Sequence, residues 1–245
     1  MFDVEKYRAR IAALATLDPT HQIFGAMNHH WSFQPTLSEL EVQRFEGLIG
    51  AELPADYRTY LTQLGNGGAG PYYGIGPLAE WAVDGLASHS VTATMTSKDG
   101  ETTSFTSGTG ARPPLSRRSK TSEKFVLTSP WKVGDAIPEG ANPFDGCVHL
   151  AQIGCGYEAF LVVKGEAAGT VWEDYTAGDG AIAKVADSFG AWLAKFADIE
   201  LAKLVFQRME SGLLESPFQA DPVLVEHADV FGALFDEADP ISLLE

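Results

Sequence analysis

Leu53-Pro54-Ala55-Asp56-Tyr57-Arg58 opens a phrase that runs on to Gly65-Asn66-Gly67-Gly68-Ala69-Gly70-Pro71-Tyr72-Tyr73-Gly74-Ile75. Pro54 suits a first helical turn, where its missing amide is no loss. Tyr57, Tyr60, Leu61 and Leu64 then recur at spacings of three and four, which gives that helix one apolar stripe. Gly65 is expected to close the helix in the left-handed conformation that glycine tolerates. The glycines from 65 to 70 then reverse the chain, and Pro71-Tyr72-Tyr73 is expected to enter the first strand. A phosphate-binding loop would end in Gly-Lys-Ser/Thr and lead from a strand into a helix. This loop leaves a helix instead, so the structural reading is preferred.

Upstream, residues 3–16 read as a helix with Val4, Tyr7, Ile11 and Leu14 on one face. Ser38-x-x-Glu41 has the spacing of a capping box, followed by Phe45, Leu48 and Ile49 at helical intervals and then Gly50. Downstream, three runs read as strands: Gly146 to Gln152, Tyr157 to Val163, and Gly169 to Tyr175. The Gly-bearing connections 154–156 and 164–166 suit antiparallel hairpins. From Asp187 to Met209 the apolar positions Phe189, Trp192, Leu193, Phe196, Leu201, Leu204 and Val205 indicate one long or bent helix, and a last helix is expected from Asp221 to Glu237. The class is therefore α+β, with a central mixed, largely antiparallel sheet and helices before and after it. The expected organisation is one domain over 1–210 and a helical extension over 211–245 packed on it. Residues 92–124 interrupt the domain as a Thr/Ser-rich insertion with little apolar periodicity, in which Asp99-Gly100 suits a tight hairpin turn.

Charge narrows the function classes. The formal net charge is -16, with ten acidic and five basic side chains in residues 1–91, three and six in 92–124, and twenty and six in 125–245. Such a chain is poorly suited to nucleic acid, whose phosphates are bound by displacing counterions with Lys and Arg. It is equally ill-matched to an anionic membrane surface. The N-terminus has no apolar stretch behind a basic one, and no run is long and apolar enough to span a bilayer, so a cytoplasmic location is expected. Two cysteines are too few for a disulfide framework, although Cys147 and Cys155 sit near one expected hairpin and spacing alone leaves a bridge open.

Catalytic chemistry finds little support. His29 and His30 are adjacent and point apart on any regular element, His21 stands eight residues upstream of His29, and no Cys or acidic pair completes a metal site. Cys155 between two glycines reads as an exposed turn thiol, with His149 near it in sequence but no nucleophile motif around either. Glu173 and Asp174 point to opposite faces of a strand, and the phrase around Asp179 is too poor in oxygen ligands for a calcium loop. No catalytic residue, metal or cofactor is expected.

The opening phrase resembles the SUKH superfamily, the Smi/Knr-like proteins, whose bacterial members often read Leu-Pro-x-Asp-Tyr-Arg and then Gly-Asn-Gly-Gly-Ala-Gly-Pro-x-Tyr-Gly. Phe125 to Trp131 resembles that family's strand entry, Ile153 to Val163 and Gly169 to Tyr175 its central hairpin, and Phe189-Gly190-Ala191-Trp192-Leu193 its closing helix. The resemblance spans about residues 38–200, apart from the insertion. It implies an α+β fold with no enzymatic activity and no cofactor. It also implies a role as an immunity protein that binds and neutralises a cognate polymorphic toxin, often a nuclease. A regulatory or scaffolding protein-binding module on the same fold is the alternative. The acidic surface fits a basic toxin. The acids Glu173, Asp174, Asp179 and Asp236 are the expected contacts, with Tyr72 and Tyr73 either as aromatic anchors or as core packing beneath the glycine loop.

Overall fold

The computed structural model of the chain describes residues 2–78, 91–96, 102–107 and 120–211; of 91–96 and 102–107 it gives the backbone alone. The expected last helix from Asp221 to Glu237 lies outside these residues, as does Asp236.

Asp3 starts α1 (Val4–Leu17) by accepting the amide of Lys6 on its carboxylate, which satisfies a donor the first turn leaves open. A short α2 (Ala26–His29) follows. In α3 (Glu39–Ile49) both arms of the Ser38/Glu41 capping box form, and Gly50 ends the helix at φ 64°. Pro54 is the N-cap of α4 (Ala55–Gln63), one position before its first turn. Strands β1 (Val91–Thr96) and β2 (Thr102–Ser107) pair antiparallel, Thr96 opposite Thr102. The expected Asp99-Gly100 turn between them lies outside the described residues. Strands β3 (Cys147–Gly154), β4 (Tyr157–Val162), β5 (Val171–Asp174) and β6 (Ile182–Ala186) form a second sheet in that order, and α5 (Phe189–Glu210) closes the domain. Every strand pair among the described residues is antiparallel, where a mixed, largely antiparallel sheet was expected. The connections are too short for the crossover that a parallel pair needs.

Four residues of the Leu-Pro-Ala-Asp-Tyr-Arg phrase hold elements together. The Leu53 amide donates to the Glu46 carboxylate, and the Arg58 guanidinium bridges Glu39 and Glu46, so α4 is clamped to α3. The Asp56 carboxylate accepts the Gly190 amide at 2.7 Å and so caps the first turn of α5. Tyr57, fully buried, meets Phe189 edge-on with ring centres 4.9 Å apart. Between α1 and α5, Arg10 pairs with Asp198 at 2.8 Å.

The sheet is covered on both sides. Ala159, Leu161 and Val171 face a helical core with Leu14, Ile49, Tyr57, Leu61 and Leu193. Their strand neighbours Phe160, Val162 and Trp172 face a second core with Phe125, Leu127, Trp131 and Phe144. Alternation along β4 and β5 thus divides their apolar residues between two layers.

The structure corrects three expectations. Gly65 is not left-handed: Leu64 is the C-cap in a right-handed conformation. Glycine is required at 65 because a Cβ would lie 2.6 Å from the Gln34 carbonyl oxygen. Pro71-Tyr72-Tyr73 does not enter a strand, since Tyr72 stands at φ 57° in a turn. Phe125 to Pro130 is not a strand either. It is an irregular cover over the second core, tied to the sheet by the Trp131–Ile182 bridge.

The glycine loop is instead a seam of backbones. Ala69 donates its amide to Ser32 O, Gln34 to Gly67 O, and Gly68 and Ile75 exchange both of their backbone hydrogen bonds. Gly76 and Tyr73 then donate to Leu150 O and Gln152 O of β3. A Cβ at Gly68 would lie 2.3 Å from the Ser32 carbonyl oxygen and 2.7 Å from Phe33 Cα, at φ 110°. Gly68→Ala is therefore expected to destabilise the chain by more than about 2 kcal/mol through clash and strain. Gly134→Ala, at φ 104° with open space around it, is expected to cost only about 1 kcal/mol of backbone strain. Urea unfolding midpoints of the two variants check the difference.

Candidate functional site

Four segments gather where β3 and β5 end and β4 and β6 begin: residues 18–32 with the short α2, and the turns 71–75, 154–157 and 174–181. All six positive-φ non-glycine residues among the described residues lie in them: His21, His30, Trp31, Tyr72, Cys155 and Asp179. Each such conformation costs on the order of 1 kcal/mol and persists only where surrounding packing imposes it.

The packing is explicit. Gly25 rests against the backbone of Tyr72, where a Cβ would lie 1.7 Å from the Tyr72 carbonyl oxygen. Phe24 and Tyr73 then meet outside, ring centres 5.0 Å apart. Both are exposed, at 59% and 39%, and Met27, three residues after Phe24, is exposed at 70%. Tyr73 also lies over Gly154, and the Tyr157 and Tyr175 rings pair at 5.0 Å. Phe24, Met27 and Tyr73 thus form an exposed apolar and aromatic rim at this end of the sheet, with the half-buried Tyr157–Tyr175 pair at the same end. Phe24 and Met27 were not among the sequence candidates. The only sequence signal for them is an apolar residue stranded among His, Asn and Gly without periodicity.

Beneath the rim sits a carboxylate. Glu173 accepts the Tyr72 hydroxyl on one oxygen and the Tyr175 hydroxyl on the other, each at 2.8 Å. Burial, and then the Glu173 charge, push the Tyr72 hydroxyl well above its usual range. Burial and the hydrogen bond to Glu173 push Tyr175 up to about 12. Asp174 faces the other side of the sheet, opposite Glu158. Its carboxyl is raised by burial against the opposing pull of Thr176, which donates its amide to it. The opposite-face expectation for this pair therefore holds, but Glu173 and Asp174 are buried rather than exposed acids. Of the acids named from the sequence, Asp179 is the exposed one among the described residues. Tyr72 is half-buried, its ring 6.5 Å from Trp192 of α5.

The histidines are arranged in a way their spacing did not disclose. His21 and His30, both left-handed, bring their rings to 4.8 Å. His29 is buried between them and the glycine loop: its Nδ1 accepts the Trp31 amide at 3.1 Å and its Cδ2 lies against Gly74. Desolvation first, then the neighbouring His21 and His30, lower its pKa to about 4.

Cys155 is exposed in the turn between β3 and β4, and Cys147 is buried at the opposite end of β3. At about 3.3 Å of rise per residue the two are on the order of 25 Å apart, so no bridge joins them. His149 lies six residues back along the same strand, next to Gln152, so no thiol–imidazole pair is assembled. Among the described residues, no group of three His, Cys, Asp or Glu side chains is placed to hold a metal ion. No helix among them is long and apolar enough to cross a membrane.

In comparison with known families, the model described as the SMI1 / KNR4 family (SUKH-1) fits residues 36–195. No curated protein and no solved structure matches the chain.

The two thiols are expected to separate by reactivity. Burial, with Asp145 beside it, pushes the Cys147 thiol well up, so one thiol, that of Cys155, should react with Ellman's reagent in the native protein and two after unfolding. Tyr72→Phe is expected to cost about 1.5–3 kcal/mol at neutral pH, the usual worth of a hydrogen bond to a charged group, measured by chemical denaturation.

Proposed function

The chain belongs to the SMI1 / KNR4 (SUKH-1) family, and from that premise we propose that it is a non-catalytic immunity protein that binds and neutralises a cognate polymorphic toxin in the cytoplasm of the producing cell. The family is typically one of non-catalytic, immunity-type proteins. The observation that carries the reading to a particular surface is the exposed Phe24–Tyr73 pair held on strained loops. Strain of this kind is stored at functional sites more than elsewhere, and aromatic side chains dominate binding energy at protein interfaces.

Net charge supplies the complement. A chain at -16 attracts a basic partner at long range, and a nuclease toxin, which must itself bind phosphates, is basic where it acts. Glu173 and Asp174 do not contribute contacts in this proposal, because they face inward. Asp179 contributes an exposed charge beside the aromatic rim. Tyr72 holds Glu173 from within, and Tyr73 is the anchor. A regulatory or scaffolding role on the same fold predicts a housekeeping partner and no effect on toxicity.

Co-expression with the product of a neighbouring toxin-like gene tests the reading. Growth rescue and co-elution on size exclusion are expected; undiminished toxicity, with no complex, overturns it. Phe24→Ala and Tyr73→Ala are each expected to weaken the complex about tenfold or more. The association rate is expected to fall as salt rises.

A further inference from the structure

Phe24 and Met27, two of the three exposed rim residues, are carried by residues 18–32, and that segment is built around a buried histidine with no exit for a charge. His29 is 7% exposed. Its Nδ1 is an acceptor, since it takes the Trp31 amide, so in the neutral ring the proton sits on Nε2. Nε2 is buried and has no hydrogen-bond partner. The ring meets Trp31 edge-on at 4.9 Å and packs against Gly74 of the glycine loop.

A second proton on this ring has nowhere favourable to go. It would occupy Nδ1, turn an acceptor into a donor facing the Trp31 N–H, and add a charge in a desolvated place. The charged and titratable groups around His29 divide unequally. His21, from the loop before α2, and His30, the next residue in the chain, oppose its protonation. Asp18 alone favours it, and that carboxylate is already engaged by the amides of Gln22 and Ile23. The glycine loop presents Gly74 to the ring, and α5 reaches this layer through Phe196 stacked on Trp31. Neither contact brings a charge.

We propose that the three-histidine turn is an acid-sensitive clasp. Protonation of His29 releases residues 18–32 from the glycine loop, dismantles the Phe24–Tyr73 rim and lets a bound partner go, while the sheet and long helices stay folded. Opening is a property of the chain alone; release of a partner rests on the binding reading above. The sign follows from the direction of the shift. A histidine whose ring stays neutral in the closed state, and titrates near its ordinary value in the open one, stabilises closure fully above that ordinary value. The stabilisation is lost as pH falls from about 6.5 towards about 4. By linkage, the opening equilibrium is expected to rise about 30-fold between pH 7.5 and pH 5.

The Trp31 amide reports the clasp directly. Hydrogen exchange on the isolated chain, corrected for intrinsic rates, should show Trp31 protection falling about 30-fold from pH 7.5 to pH 5, with Leu161 in β4 unchanged. In His29→Asn, where an amide oxygen can still accept the Trp31 N–H but nothing titrates, the fall should vanish. Unchanged Trp31 protection in the unmodified chain, or an equal fall in His29→Asn, overturns the proposal. A His29 ring titrating near pH 6.5 by NMR in the unmodified chain overturns it as well, without recourse to a variant. With partner bound, dissociation at pH 5 should be faster for the unmodified chain than for His29→Asn. A clasp that opens without speeding release leaves the acid opening standing and places the interface elsewhere.

Discussion

Backbone has to touch backbone in this protein. Gly68 exchanges hydrogen bonds with Ile75 on one side and lies against Ser32 and Phe33 on the other, at separations where no Cβ fits. Gly76 and Tyr73 carry the same pairing onto the edge of β3. The seam therefore joins the N-terminal helices to the sheet and covers one sheet edge that would otherwise present unpaired donors and acceptors. It also fixes the positions of its own tip residues. Tyr72 turns inward to Glu173 and Tyr73 turns outward to Phe24 from the turn that the seam holds in place.

The phrase that identifies the family is largely accounted for by this architecture. Asp56 caps α5, Tyr57 fills the core, Arg58 clamps α3, and Asn66 mimics a strand by bonding both the amide and the carbonyl of Leu78 through its side chain. These residues hold the elements of the fold together. The proposed recognition residues stand apart from them. Phe24 and Met27 precede the matched residues 36–195, and Tyr73 is the exposed member of a loop whose other residues are buried or half-buried. One scaffold can then serve different partners by changing the rim without disturbing the seam.

Periodic and capped elements were legible in the sequence. The Ser38 capping box, the stripe of α4 and the apolar positions of α5 all formed as their spacing requires, as did the alternation that divides Phe160 from Leu161. Elements without a period were not. Ile182-Ala183-Lys184-Val185-Ala186 has too little apolar contrast to announce β6, which exists because β5 offers it an edge. Tyr72 and Tyr73 have high strand propensity, yet the seam holds Tyr72 left-handed. Tertiary context overrode local preference there. The site was legible in part. Tyr72, Tyr73, Glu173, Asp174 and Asp179 all lie towards one end of the sheet, and of these Tyr72 and Glu173 bond to each other, but the two strand acids turn inward. A strand buried on both faces gives no exposed side, and only the second core, made by an irregular segment, reveals that.

Hydroxyl-radical footprinting of the complex formed with the neighbouring-gene toxin measures the rim most directly, because Phe, Met and Tyr side chains oxidise readily when exposed. The rim as binding face requires Phe24, Met27 and Tyr73 to lose reactivity on complex formation, while Leu40 and Leu48, exposed on α3, keep theirs. Protection of Leu40 and Leu48 with Phe24, Met27 and Tyr73 still oxidised would contradict it.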